Sequence, residues 1–425
     1  MCGQPEQPVL IRHASHIRDL TLNLRSASAA PLVSKATSLH SLLVKAKIDP
    51  VALKSKVWIT VKGLLKNNPH LYALQFDCLP HPYDIRRLPL DLSPSLPPRL
   101  MELRLKFAIL DLAHLKGLST LAVLDLQDCI IESYPHEREG PPMFPVLETL
   151  VLHGHGADYI SHSALDWMAH CPRLKGLILV DYQPNPKMSS SISHWSPSLT
   201  LDSLRHSLVL DDERQAQLIS KFPRLTSIMV QGDAAFGEKT FRAGKMNGLW
   251  ESIRVLVLGE GQKQHPAAIM SILGAAPLLR SLHCQRMDAA DLPKNTGSGS
   301  LTTMPRKPQW ACTELELISV DEFNWSKDKA QNRHMQEELK ALKDLRDISL
   351  TTSPSADATP AHNNKDDQSG QSQDPIKLWK RGLYVPTLIE QKPAMRWMLR
   401  TWPHLRYYSN GNKNSEHVFD GWLSW

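Results

Sequence analysis

The stretch Leu100-Met101-Glu102-Leu103-Arg104-Leu105-Lys106 decides the fold: an apolar-x-x-apolar-x-apolar phrase set among charges. Residues two apart on a strand share a face, so Leu103 and Leu105 point together into an interior while Glu102, Arg104 and Lys106 point out. The first leucine anchors the turn that enters the strand. The phrase returns along the chain as Ile17/Leu20/Leu22, Leu39/Leu42/Val44, Leu71/Leu74/Phe76, Leu121/Leu124/Leu126, Leu147/Leu150/Leu152 and Leu174/Leu177/Leu179. It continues as Leu225/Ile228/Val230, Ile253/Leu256/Leu258, Leu279/Leu282/Cys284, Leu315/Ile318/Val320 and Leu345/Ile348/Leu350, with starts mostly about 21 to 36 residues apart.

One such strand cannot bury its apolar face alone, whereas many stacked in parallel make a continuous core. Phrase and period resemble the leucine-rich repeat. The expected fold class is therefore α/β: a leucine-rich repeat solenoid, a curved horseshoe with a parallel β-sheet on the concave side and helices and loops on the convex side. Helical spacing is readable in the return segments 163–170 and 213–220. Asn68-Pro69, Cys171-Pro172, Phe222-Pro223, Ala276-Pro277 and Trp402-Pro403 stop a helix before the next strand, because proline disfavours helical geometry in the residue preceding it.

The expected organisation is a short extension over 1–10, the solenoid over 11–352, a disordered loop insertion over 353–375, and a terminal repeat with a C-terminal cap over 376–425. The insertion has almost no apolar content with which to offset its own ordering entropy. Lys187 to Ser198 and Met287 to Gln309 read as surface loops. The tail 419–425 is apolar enough to cover the last repeat, or else to bind a partner.

With 42% hydrophobic and 22% charged residues, the 425-residue chain reads as a folded soluble protein, and no apolar run is long enough to span a bilayer. No signal-peptide pattern opens the chain, and its six scattered cysteines suit a reducing compartment, so the cytoplasm or nucleus is expected. Lys45, Lys47, Lys54, Lys56, Lys62 and Lys66 form a basic region, read as a solvated convex face rather than a nucleic-acid site because few aromatics accompany them.

No catalytic constellation is present. There is no Gly-x-Ser-x-Gly, Walker or His-Glu-x-x-His motif, and His334-Met335-Gln336-Glu337-Glu338 has the wrong spacing for zinc. Nothing completes a ligand set around His153-Gly154-His155, so neither metal nor cofactor is expected. Cys129 closes Leu121-x-x-Leu124-x-Leu126-x-x-Cys129 and fits a buried, hydrogen-bonding turn position.

Further phrases carry a family resemblance: Ile11-Arg12-His13-Ala14-Ser15-His16-Ile17-Arg18-Asp19-Leu20-Thr21-Leu22, Leu64-Leu65-Lys66-Asn67-Asn68-Pro69-His70-Leu71, Trp310-Ala311-Cys312-Thr313-Glu314-Leu315-Glu316 and Trp397-Met398-Leu399-Arg400-Thr401-Trp402-Pro403-His404-Leu405. With these the chain resembles the RNI-like repeat region of fungal F-box/LRR proteins. The resemblance implies a substrate-recognition part of an SCF-type ubiquitin ligase, docked to a Skp-type adaptor through an F-box. That F-box is absent from this chain, so the adaptor is expected only if an F-box lies upstream. A stand-alone scaffold, or an inhibitor of an enzyme or GTPase, is the alternative.

The expected role is non-enzymatic binding of a protein on the concave face. Its candidate residues are the outward ones flanking and between the strand anchors. Glu102, Arg104, Lys106, Asp125 and His153 supply polar and charged groups, and Val123, Val151, Ile178, Val180, Met229, Val255 and Val257 supply an apolar stripe.

Overall fold

In the computed structural model the described residues are 13–24, 35–47, 56–79, 88–89, 96–111, 115, 117–133, 144–154, 171–181, 200–231, 234–259, 265–291, 310–324, 329–350, 407–409 and 417–418. The chain divides into two compact units, Met1–Val209 and Leu210–Trp425.

In the N-terminal unit a 3-10 turn at Ala14–His16 leads into β1 (Asp19–Leu24), followed by β2 (Ser41–Lys47), α1 (Lys56–Asn67), β3 (Ala73–Leu79) and β4 (Leu88–Pro89). Next come β5 (Glu102–Lys106), β6 (Ala108–Asp111), β7 (Val123–Gln127), β8 (Ile130–Ser133), β9 (Thr149–Gly154), β10 (Gly176–Asp181) and β11 (Ser203–His206). Strands β1, β2, β3, β5, β7, β9, β10 and β11 lie side by side in that order, each pair parallel. The register is the one the phrase dictates. Leu74 pairs with Leu103, Leu103 with Leu124 and Leu124 with Leu150, and these anchors are 2% exposed or less. Burying each such side chain is worth about 1.5–3 kcal/mol, which a lone repeat could not collect.

Hydroxyls stitch successive repeats together. Thr120 Oγ1 donates to the Leu100 carbonyl at 2.9 Å and Thr200 Oγ1 to the Leu174 carbonyl at 3.0 Å, each reaching the first anchor of the preceding repeat. Asn68, at the Asn-Pro stop after α1, does the same with an amide: its Oδ1 accepts Leu39 N–H at 2.7 Å, and its Nδ2 donates to Ala36 and Leu64 carbonyls at 2.7 and 2.8 Å. The residue that ends the helix thereby also ties two repeats together.

Three return segments are strands rather than helices: β4, β6 and β8 form a second, parallel sheet. Leu100 to Leu121 is a short repeat, and an extended strand covers roughly twice the distance per residue that a helix does. Phe107 and Asp128, with φ of 55° and 52°, make the bends from β5 into β6 and from β7 towards β8. Beside the second bend Cys129 is buried, its thiol donating to the Leu105 and Gln127 carbonyls at 3.3 and 3.4 Å, the turn role its position suggested.

The C-terminal unit alternates helix and strand: α2 (Asp212–Ser220), β12 (Ser227–Val230), α3 (Glu238–Met246), α4 (Leu249–Ser252), β13 (Val255–Leu258), α5 (Pro266–Leu273) and β14 (Ser281–Asp288). A 3-10 turn at Ala289–Asp291 precedes β15 (Leu317–Asn324), α6 (Lys329–Ala341), β16 (Asp347–Leu350), β17 (Tyr407–Ser409) and β18 (His417–Val418). Strands β12 to β17 pair in parallel, and β18 turns back antiparallel on β17. Asp211 caps α2 by accepting Arg214 N–H, and Pro266 starts α5 where its missing N–H costs nothing. Gly244 of α3 lets the Trp250 indole lie against the helix, where a Cβ would come within 2.5 Å of the ring. The indole is stacked on Phe241 and donates to that residue's carbonyl at 2.8 Å.

Each unit is thus a leucine-rich repeat solenoid of the α/β class, built on a parallel sheet. One expected loop starts later than its composition suggested: Met287 is fully buried in β14, which runs on to Asp288 because it pairs along its length with β15. The expected helix at 163–170, the loops at 187–198 and 353–375, and the helix and tail at 395–403 and 419–425 lie outside the described residues.

Candidate functional site

The face of each sheet away from the buried anchors carries the outward residues, and strand pairing sets them in rows. In the N-terminal unit Gln75, Arg104, Asp125, Val151, Ile178 and Arg205 are successive register partners across β3, β5, β7, β9, β10 and β11. A second row runs Asp77, Lys106, Gln127, His153 and Val180. A third holds Glu102, Val123, Thr149 and Gly176.

Val151 and Ile178 are therefore direct neighbours, with Val180 one row away and Val123 diagonal to Val151, and all four are half-buried. Neighbouring strands stand about 4.8 Å apart, so these side chains make one apolar patch. Charge borders the patch on two sides. Arg104 Nε donates to Glu102, and Lys106 Nζ sits 5.5 Å from the centroid of the Phe107 ring. Asp125 is 7% exposed; one oxygen accepts Gln127 Nε2 at 3.1 Å. Burial pushes its carboxyl above the ordinary range, against the lowering effect of Gln127, Arg104 and His153.

In the C-terminal unit Met229 pairs with Val257, with Val255 in the adjacent row, and all three are half-buried. Past them the face turns polar: Val257 pairs with His283, His283 with Ser319, and His283 Nε2 lies 3.8 Å from Asp321 Oδ2.

Two assignments change. Lys45 lies on the strand face, paired with Asn23 and Asp77, and not on the convex side, while Lys62 and Lys66 are on α1. Arg205 was missed as the flank of Ile178 because its repeat, Leu201/Leu204/His206, went unread. Leu201 and Leu204 keep the spacing; the histidine in the third anchor slot hides it. His206 is fully buried there, and burial drives its imidazole down to about 3, so it is neutral at physiological pH.

Three of the described thiols carry no reactive signature: burial pushes Cys171 and Cys312 up to about 12, and Cys284 higher still. Among the described residues no group of three or more His, Cys, Asp or Glu side chains could hold a metal ion, and no helix is long and apolar enough to cross a membrane.

No family model matches the chain, and no curated protein matches it either. Solved structures do, two leucine-rich repeat proteins, an internalin and TLR13, among them. A Listeria monocytogenes internalin is 12% identical with a TM-score of 0.36, covering 74% of this chain and 87% of its own. TLR13 in its complex with ssRNA13 is 13% identical with a TM-score of 0.42; the match covers 79% of this chain and 58% of TLR13. A Bacteroides fragilis protein is 14% identical with a TM-score of 0.31, covering 61% of this chain and 70% of its own. The fold assignment rests on the strand register described above.

Proposed function

We propose that the chain is a non-enzymatic protein-interaction module that binds its partner on the open sheet face. The observation that carries this reading is the half-buried Val151–Ile178 pair, set between Asp125 and Arg205 on one row of strands. An apolar centre with a charged border is the composition of a protein-binding surface, because the apolar part gains from losing water and the charges set orientation. Finer roles rest on the family resemblance: substrate recognition for an SCF-type ubiquitin ligase in the cytoplasm or nucleus, or stand-alone scaffolding or inhibition.

The test is affinity purification with quantitative mass spectrometry, comparing the wild type with Ile178→Ser/Met229→Ser. Proteins recovered with the wild type are expected to be lost from the variant, while circular dichroism and Tm stay nearly unchanged. Recovery of the same proteins by a folded variant would place binding elsewhere. A Skp-type adaptor and a cullin among them would support the ligase role, and their repeated absence the stand-alone one.

A further inference from the structure

The centre of the N-terminal unit's open face holds a group that the repeat pattern does not require. Asp125 is more than nine-tenths buried, flanked in register by Arg104 and Val151. Gln127 serves one carboxylate oxygen, but the other, Oδ1, is buried without a hydrogen-bond partner. Such an oxygen is costly in its ionised form unless a donor arrives. Neither nearby cation donates to that oxygen: Arg104 Nε is given to Glu102 and Lys106 lies over Phe107, although the Arg104 charge still acts on Asp125 through space.

Asp77, on β3 of the same face, makes the contrast. Its Oδ1 accepts Gln75 Nε2 at 3.1 Å, the same amide–carboxylate device, yet its register partners are two lysines, Lys45 and Lys106. Asp77 has cations on both sides. Asp125 has one, whose Nε is held by Glu102, and a valine.

We propose that Asp125 receives the guanidinium or ammonium group of an arginine or lysine carried by the protein segment that docks on this face, with an apolar residue of that segment resting on Val151 and Ile178. This deepens the function proposed above and rests on it. A long cationic side chain suits the site because its stem packs on valines while its head reaches the carboxylate, and an arginine head can supply two parallel donors. The docked cation would also draw the raised Asp125 carboxyl back down. Binding is therefore expected to weaken, as the pH falls, at a higher pH than an exposed aspartate would give. His153 on β9 and Glu102 and Arg104 on β5 also act on Asp125, so the Asp125→Asn variant isolates the aspartate's share.

The experiment selects a phage-displayed library of random short peptides on the full-length protein and keeps those whose binding falls with Ile178→Ser. The retained peptides are expected to carry arginine or lysine. Asp125→Asn, or replacing that peptide residue by citrulline or acetyl-lysine, should each weaken binding by roughly 30-fold or more, and the two together little further. Retained peptides without a cation, or losses that multiply independently, would overturn the inference and leave the binding face intact. If no peptide responds to Ile178→Ser, the proposed face fails and the inference with it. Melting temperatures of Asp125→Asn, Arg104→Met and the double variant give a second check: strong coupling would show that Arg104 already serves the carboxylate, and would also overturn the inference.

Discussion

Asp125 in the N-terminal unit and Asp212 at the start of α2 in the C-terminal unit place the same side chain in opposite settings. Burial acts to raise the carboxyl of both, but Asp212 outweighs it with hydrogen bonds. Its Oδ1 accepts Thr240 Oγ1 at 2.6 Å and the N–H groups of Gly237 and Thr240 at 2.8 and 3.1 Å, while Oδ2 accepts Lys239 N–H at 2.9 Å. Its carboxyl is therefore held below the ordinary range, whereas that of Asp125 is held above it. All of these donors to Asp212 belong to the start of α3 or the residue before it, so one charge caps a neighbouring helix and fixes two helices together. A carboxylate with a full set of donors is architecture. One with a buried oxygen left over is available to something else.

Removing the architectural carboxylate should have the largest effect. Asp212→Ala leaves N–H groups at the start of α3 without their acceptor and should cost about 1–3 kcal/mol in urea unfolding. Because the folded carboxyl is depressed, its stabilisation is present above the unfolded value of 3.8 and lost as the pH falls through the folded one. A variant as stable as the wild type would erase the contrast with Asp125.

Gly237 sharpens the same point. A Cβ there would stand 2.7 Å from Asp212 Oδ2, so Gly237→Ala should push the carboxylate off its donors and cost roughly 1–2 kcal/mol. That cost should largely vanish in the Asp212→Ala background, since the clashing group is gone. Equal costs in both backgrounds would mean that glycine serves the backbone rather than the carboxylate.

How much of this was legible depended on whether a residue acts through its spacing or through its neighbours in space. Leu103, Leu124 and Leu150 are buried as the phrase requires, because strand alternation alone sets their direction. The repeat at Leu201/Leu204 escaped because His206 fills an apolar slot, at the expense of its charge. The second sheet escaped because its bends use Phe107 and Asp128 at positive φ, where glycine would have announced them. At the candidate site the outward direction of Asp125 was readable. Its burial and free oxygen were not, since they depend on Val151 and Arg104 one strand to either side and on how Arg104 is already engaged.

The smallest expected effect on stability, with the most informative sign, is that of Asp125→Asn. The substitution keeps shape and removes the ionised form that burial disfavours, so stability near neutral pH should be unchanged or up by at most about 1 kcal/mol. For an acid whose folded pKa is raised, the folded state binds more protons than the unfolded one between the two values. The wild type should therefore lose stability relative to Asp125→Asn as the pH rises from 3.8 through the raised value, opposite to the trend at Asp212. His206 adds a trend of its own: with its imidazole held near 3 against an ordinary 6.5, it removes stability as the pH falls between those values. That contribution is common to wild type and variant and cancels in their difference, as does that of Asp212. Urea unfolding of both proteins across that acid range should show a gap that opens with rising pH in favour of the asparagine. A gap of the reverse sign would mean that Asp125 has donors enough to favour its charge, and that the two aspartates do the same work.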